Sequence, residues 1–263
     1  MKVLIVFAHP EPRSQSLNHS LLKVAINELE KLGHEVKTSD LYAMNWKSNL
    51  DADDFPLFDK KHDRLKVNPE SARAFKEGKL TDAVLEEQAK LKWADFLILQ
   101  FPLWWYTIPA IMKGWVERVF SYGFAYAVNI SKDKPHGDRY GEGLFQGKRA
   151  MLLVTIGGPE TGYSETGING DIFDILFPIQ HGILFTPGYQ VLEPYIIWRA
   201  NRFPEESFPK AADDLRQRLR DLETDEPIAF RLQNGGDYDK RTLVMKPEAF
   251  DPKVRGLRIH VKK

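Results

Sequence analysis

Two periods of apolar residues organise this chain. Residues 2–9 are an unbroken apolar and β-branched run closed by Pro10 and Pro12, the pattern of a central parallel strand covered on both faces. From Ser16 the period changes. Apolar residues recur at Leu17, Leu21, Val24, Ala25, Leu29 and Leu32 before Gly33, which predicts a helix and its stop. Residues 35–41 predict a second strand, more polar and therefore nearer a sheet edge. Residues 81–92 predict a helix with Thr81 as its N-cap. A third strand follows over 94–103, and a further helix starts near Pro109, where a first turn tolerates the missing N–H. Residues 148–157 predict strand four and residues 188–198 strand five. A helix from Asp171 is interrupted by Pro178 and Gly182, and a last helix covers 207–222.

Strands alternating with helices predict an α/β fold with a doubly wound, mostly parallel sheet and right-handed crossovers. Five strands favour the flavodoxin-like order 2-1-3-4-5. Residues 42–80 break the rhythm with charges, Pro56 and Pro69. They are expected to be an insertion of short helices, on the surface or against a partner subunit. Residues 121–147 predict a long loop and residues 224–263 an irregular tail. The domain is thus expected over 1–222, with an extension over 223–263.

The length of 263 residues fits one large domain with an appendage. A formal net charge of zero argues against nucleic acid or an anionic membrane as the main partner. Cysteine is absent, so thiol catalysis, disulfides and thiolate-held metals are excluded. The seven histidines show no metal-ligand spacing, so no metal site is expected. The N-terminus reads as a strand and not as a signal peptide, and no apolar run approaches the ~20 residues that span a bilayer. A cytoplasmic location is expected.

Two loops carry the candidate chemistry. After strand one, residues 9–18 bring His9, Ser16 and Asn18 to a helix start, where free N–H groups and the dipole suit an anion. Capping alone would also explain Ser16 and Asn18. The loop lacks the Walker and G-x-G-x-x-G patterns. After strand three, Trp104, Trp105 and Tyr106 form an aromatic cluster, either a core plug or the wall of a flat ligand such as an isoalloxazine ring. In the order 2-1-3-4-5 those two loops meet at the switch point, where ligands bind. Residues 155–158, Thr-Ile-Gly-Gly, end strand four. Paired glycines there let backbone approach a planar ligand, or simply make a turn. Tyr163 and Asn169 follow as hydrogen-bonding groups. No G-x-S-x-G elbow or calcium loop is present.

The run FPLWWYTIPAIMKGWVERVF (residues 101–120), SDLYAMNW (39–46), FKEG (75–78) and the spaced glycines of 157–171 resemble the NAD(P)H:quinone reductases of the DT-diaphorase type. The similarity runs in order from residue 2 to about 198. It implies a flavodoxin-like homodimer with FAD, rather than FMN, at each of two interfacial sites. NAD(P)H and a quinone would use one pocket in turn, with hydride passing by a ping-pong route. By matching position, Ser16, Leu17 and Asn18 hold the FAD diphosphate beside His9. Pro102, Leu103, Trp104, Trp105 and Tyr106 run along the isoalloxazine, and Thr155, Gly157, Gly158 and Tyr163 close its other edge. Tyr126 from the partner covers a substrate pocket whose walls include Trp105, Tyr106, Val128 and Thr186. The insertion and the extension are expected to pack on the dimer.

The chain departs from that pattern at several positions. The loop after strand one is two residues longer. Val128 stands for a pocket tyrosine and Thr186 for a pocket phenylalanine. The family's Tyr…His pair becomes Tyr163 and Asn169, and asparagine cannot take a proton near neutrality. Tyr163 is then expected to be the main stabiliser of negative charge on the reduced ring. Two rival readings are an FMN-dependent azo- or nitroreductase and an ancillary transporter subunit on the same fold.

Overall fold

The computed structural model describes residues 1–262. Strands β1 (Lys2–Phe7), β2 (Glu35–Asp40), β3 (Phe96–Pro102), β4 (Arg149–Thr155), β5 (Gln190–Val191) and β6 (Tyr195–Ile197) form one sheet. Its order is β2-β1-β3-β4-β5, with β6 also pairing β4, and every pairing is parallel. The order matches the flavodoxin-like expectation, and the polar β2 lies at the edge as its sequence requires. The fifth strand is the exception, because it divides into β5 and β6 around Glu193 and Pro194. A proline has no N–H to give a ladder, so pairing with β4 lapses there and resumes at Tyr195.

Alternate residues of β1, β3 and β4 face two separate cores. Val3, Ile5, Phe7, Ile98, Met151 and Leu153 meet helix α1 (Leu17–Lys31) and helix α6 (Phe208–Arg220). Leu4, Val6, Leu97, Leu99, Leu152 and Val154 meet the other layer, which includes helices α2 (Val67–Lys76), α3 (Asp82–Trp93) and α4 (Ala110–Val119). Helix α1 is capped by Ser16, whose side chain accepts from the His19 N–H. Thr81 occupies the N-cap of α3 but makes no capping bond, its buried hydroxyl lacking a partner. The N-cap position was legible there, but the capping bond is not made.

Residues 42–80 are more than a surface insertion. Trp46, Phe55, Ala74 and Leu80 are buried in the main core, and Asp54 accepts from Arg118 Nε of α4 at 2.7 Å. Gly114 permits this approach: a Cβ there would lie 1.8 Å from the Ser48 carbonyl oxygen. Helix α5 (Ile172–Phe177) is capped by Asp171 and ends at Pro178, where the sequence predicts an interruption. The chain continues in wider π-type turns through Phe185. Such turns shift the hydrogen-bond register at a point where proline can neither donate nor fit under the usual carbonyl. The extension folds back on its own domain. Phe230 bridges Val261, and Arg258 pairs with Asp171 at 2.9 Å.

Candidate active site

Register brings the loops together. Phe7 lies opposite both Asp40 and Gln100, Pro102 opposite Thr155, and Thr155 opposite Ile197. The carboxyl ends of β1, β3, β4 and β6 therefore share one edge. A cavity of about 500 Å3 opens there, lined by His9, Ser16, Leu17, Asn18, Pro102, Leu103, Trp104, Thr155, Gly157, Gly158 and Tyr163. Each of these residues was expected from the sequence to hold the cofactor.

The floor is a buried polar latch. The Asn18 amide donates to Thr155 Oγ1 at 3.0 Å, and the Thr155 hydroxyl can return a bond to Asn18 Oδ1 at 3.3 Å. Beneath it, Gln100 Nε2 donates to the Asn18 carbonyl at 2.7 Å. The latch joins the first turn of α1 to the end of β4. Leu17 and Asn18 have first-turn N–H groups with no hydrogen-bond partner among the described residues, as a helix start leaves them, so the cavity has candidate anion donors. His9 lies edge-on to His19 at 5.4 Å. Burial first, and the neighbouring His19 second, push its pKa below the ordinary value; His9 is therefore neutral near pH 7.

The aromatic loop divides its labour. Leu103 N–H bonds the Thr155 carbonyl and Trp104 N–H the Thr107 carbonyl, so neither is spare for a ring edge. Trp105 and Tyr106 adopt positive φ of 48° and 63°, and their N–H groups make no bond among the described residues. Their side chains stand at the rim, Trp105 being 93% exposed. Tyr106 donates its hydroxyl to Asn169 Oδ1 at 3.1 Å. On the opposite wall Tyr163 packs against Trp198 at 5.4 Å, and burial, then Tyr106, raise its pKa, so its hydroxyl stays protonated.

Three expected pocket residues lie elsewhere in the same chain. Tyr126 and Thr186 line a different cavity of about 400 Å3, with Gly182 and Phe120. The Tyr126 hydroxyl donates to Asn68 at 3.1 Å, and Thr186 donates to the His181 carbonyl at 3.2 Å. Val128 pairs with Asp138 across the 121–147 loop.

The sequence profile of the flavodoxin-like fold family matches residues 1–219. A ribosyldihydronicotinamide dehydrogenase-like protein of Penicillium crustosum is 52% identical over all of this chain and 96% of its own length. NAD(P)H dehydrogenase [quinone] 1 of Rattus norvegicus is 38% identical over 87% of this chain and 80% of its own. The structure of a candidate quinone reductase of Klebsiella pneumoniae superposes with a TM-score of 0.94, at 49% identity and full coverage of both chains. The chain belongs to the flavodoxin-like quinone reductase family. It is an oxidoreductase.

The residues of this quinone reductase fit the flavin its family implies. Free N–H groups at the α1 start suit a phosphate, and the paired glycines let Asn201 and Tyr163 pack closely at the cavity wall. A Cβ on Gly157 would come within 2.6 Å of Asn201 Nδ2, and one on Gly158 within 3.0 Å of the Tyr163 ring. Sequence reasoning missed Ala200 and Asn201, which complete the cavity wall. The usable signal was their place just past the last strand, at the same carboxyl edge.

Proposed function

We propose that the protein is a cytoplasmic two-electron reductase that moves hydride equivalents from a reduced nicotinamide to a quinone with FAD as its cofactor. The supporting observation is the switch-point cavity, where a helix start, an aromatic backbone run and a paired-glycine turn converge. When bound, the flavin would supply reversible two-electron acceptance, letting donor and acceptor use one space in turn. The chain's own groups do the rest. Leu17 and Asn18 N–H groups bind phosphate, and the latch with Thr155 holds that loop against β4. Tyr163 offers a protonated hydroxyl toward developing negative charge, and Trp198 keeps its ring in place. Asn169 holds Tyr106 by accepting a hydrogen bond, and its amide does not titrate near neutral pH. FAD rather than FMN is the flavin that the resemblance to the DT-diaphorase type implies.

The working unit in this reading is a homodimer. Trp105 and Ile168 are 93% and 97% exposed, next in the chain to the cavity's Trp104 and to Asn169, apolar surface that suits burial against a second copy. Tyr126, Val128 and Thr186 would then reach the pocket from the partner. The donor is NAD(P)H or dihydronicotinamide riboside, the two kinds for which the curated relatives are named. Acid release of the flavin with chromatography, followed by anaerobic reduction with NADH, NADPH and the riboside, tests the proposal. FAD at one per chain, bleached by at least one donor and reoxidised by menadione, is expected. Protein that takes up neither FAD nor FMN would refute it.

A further inference from the structure

A second cavity, about 330 Å3 in volume, lies between the C-terminal extension and the domain body. It shares no lining residue with the switch-point cavity. One wall is aromatic: the His181 ring stacks on Phe177 at 4.4 Å and on Tyr140 at 4.7 Å. The extension closes the other side with Tyr238 and His260, joined by a 2.8 Å hydrogen bond. Two arginines line the space, Arg139 and Arg231, and no carboxylate does.

The two cations differ in what they already hold. Arg231 is engaged, donating to Asp237 at 2.9 Å and to the Ile259 carbonyl at 3.0 Å. Arg139 gives its Nε to Gln233 at 3.1 Å, while its Nη2 is shut off from solvent with no hydrogen-bond partner. It makes no ion pair among the described residues. Burial and the nearby His260 pull the His181 pKa to about 4, so that ring is neutral near pH 7 and cannot serve as the counter-charge for an acid. The Arg139 guanidinium offers a carboxylate a charge-assisted hydrogen bond, and stacked rings suit a flat apolar body. The volume lies at the lower end of small-molecule pockets.

We propose that this cavity binds a planar aromatic carboxylic acid, with its carboxylate on Arg139 and its ring against the His181–Tyr140 stack. A bare inorganic anion would use the arginine and leave the aromatic wall idle. A neutral arene would leave Arg139 unmatched.

The test uses the flavin-loaded full chain, titrated calorimetrically with 2-naphthoate and with uncharged 2-naphthylmethanol. Imidazole proton NMR of the same wild-type samples locates the binding. The acid should bind at least tenfold more tightly than the alcohol, shift the His181 and His260 resonances, and keep binding under saturating menadione. Arg139→Gln should lose at least tenfold in affinity, and Arg139→Lys should recover part of it. Equal affinity for acid and alcohol, unshifted imidazoles, displacement by menadione, or no binding at millimolar naphthoate would each overturn the proposal. These wild-type readouts stand even if Arg139→Gln fails to fold.

Discussion

Cutting the latch between Asn18 and Thr155 tests whether the switch-point site is held by that pair. Both side chains are buried, at 5% and 2% exposure, and they bond each other at 3.0 Å. Asn18→Ala strands the Thr155 hydroxyl, and Thr155→Val strands the Asn18 amide. A buried polar group left unpaired costs about 1–3 kcal/mol, more than the roughly 0.5–1.5 kcal/mol net worth of one hydrogen bond. Each single variant should therefore lose about 1–3 kcal/mol of stability. The double variant strands neither group, so it should lose less than the sum, with a coupling energy of about 1 kcal/mol. Flavin affinity should follow, because the same pair positions the Leu17 and Asn18 N–H groups, and about 1.4 kcal/mol is tenfold in Kd. Urea unfolding at fixed protomer concentration and flavin-fluorescence titration measure the two quantities. Single effects that add to within about 0.3 kcal/mol, with flavin affinity unmoved, would refute the latch.

Gly114→Ala forces a Cβ onto the Ser48 carbonyl. Overpacking of this kind costs about 1–3 kcal/mol, and thermal unfolding should show it; an unchanged Tm means that 46–50 is not seated on α4 as described. His181 has its folded pKa depressed from 6.5 to about 4, so the unfolded chain binds the extra proton between those values. Its contribution is present above about pH 6.5 and is lost as pH falls toward 4, up to about 3 kcal/mol in all. His181→Phe should flatten the stability profile over that window, and parallel profiles would disprove the assignment. Asn169→His puts a titratable ring beside Tyr106, so the pH profile of flavin reduction should gain an inflection near pH ~6.5. A flat profile would remove residue 169 from any proton path.

The loops after β1, β3 and β4 were legible because a buried parallel strand writes its length as an apolar run, and the residues just beyond it line the switch-point cavity. Gly157 and Gly158 were visible for a related reason, since only a turn or a close approach calls for adjacent glycines. The N-cap at Ser16 was read correctly, whereas Thr81 was read as a cap and makes no capping bond. Capping depends on one rotamer, and composition does not set it. Pro178 was legible as the end of an α-helix, because proline lacks the N–H the ladder needs, but not that wider turns carry the chain on to Phe185.

By itself the sequence determined the strand order and the sheet edge at which the loops after β1, β3 and β4 meet, both consequences of local period and chain direction. Only the tertiary structure decided that residues 42–80 belong to the core and that Asn201 closes the cavity wall. It also enclosed Arg139 and His181 under the extension. Each of these depends on contacts between segments far apart in the chain. Periodicity records which face of an element is buried, but not which distant segment buries it.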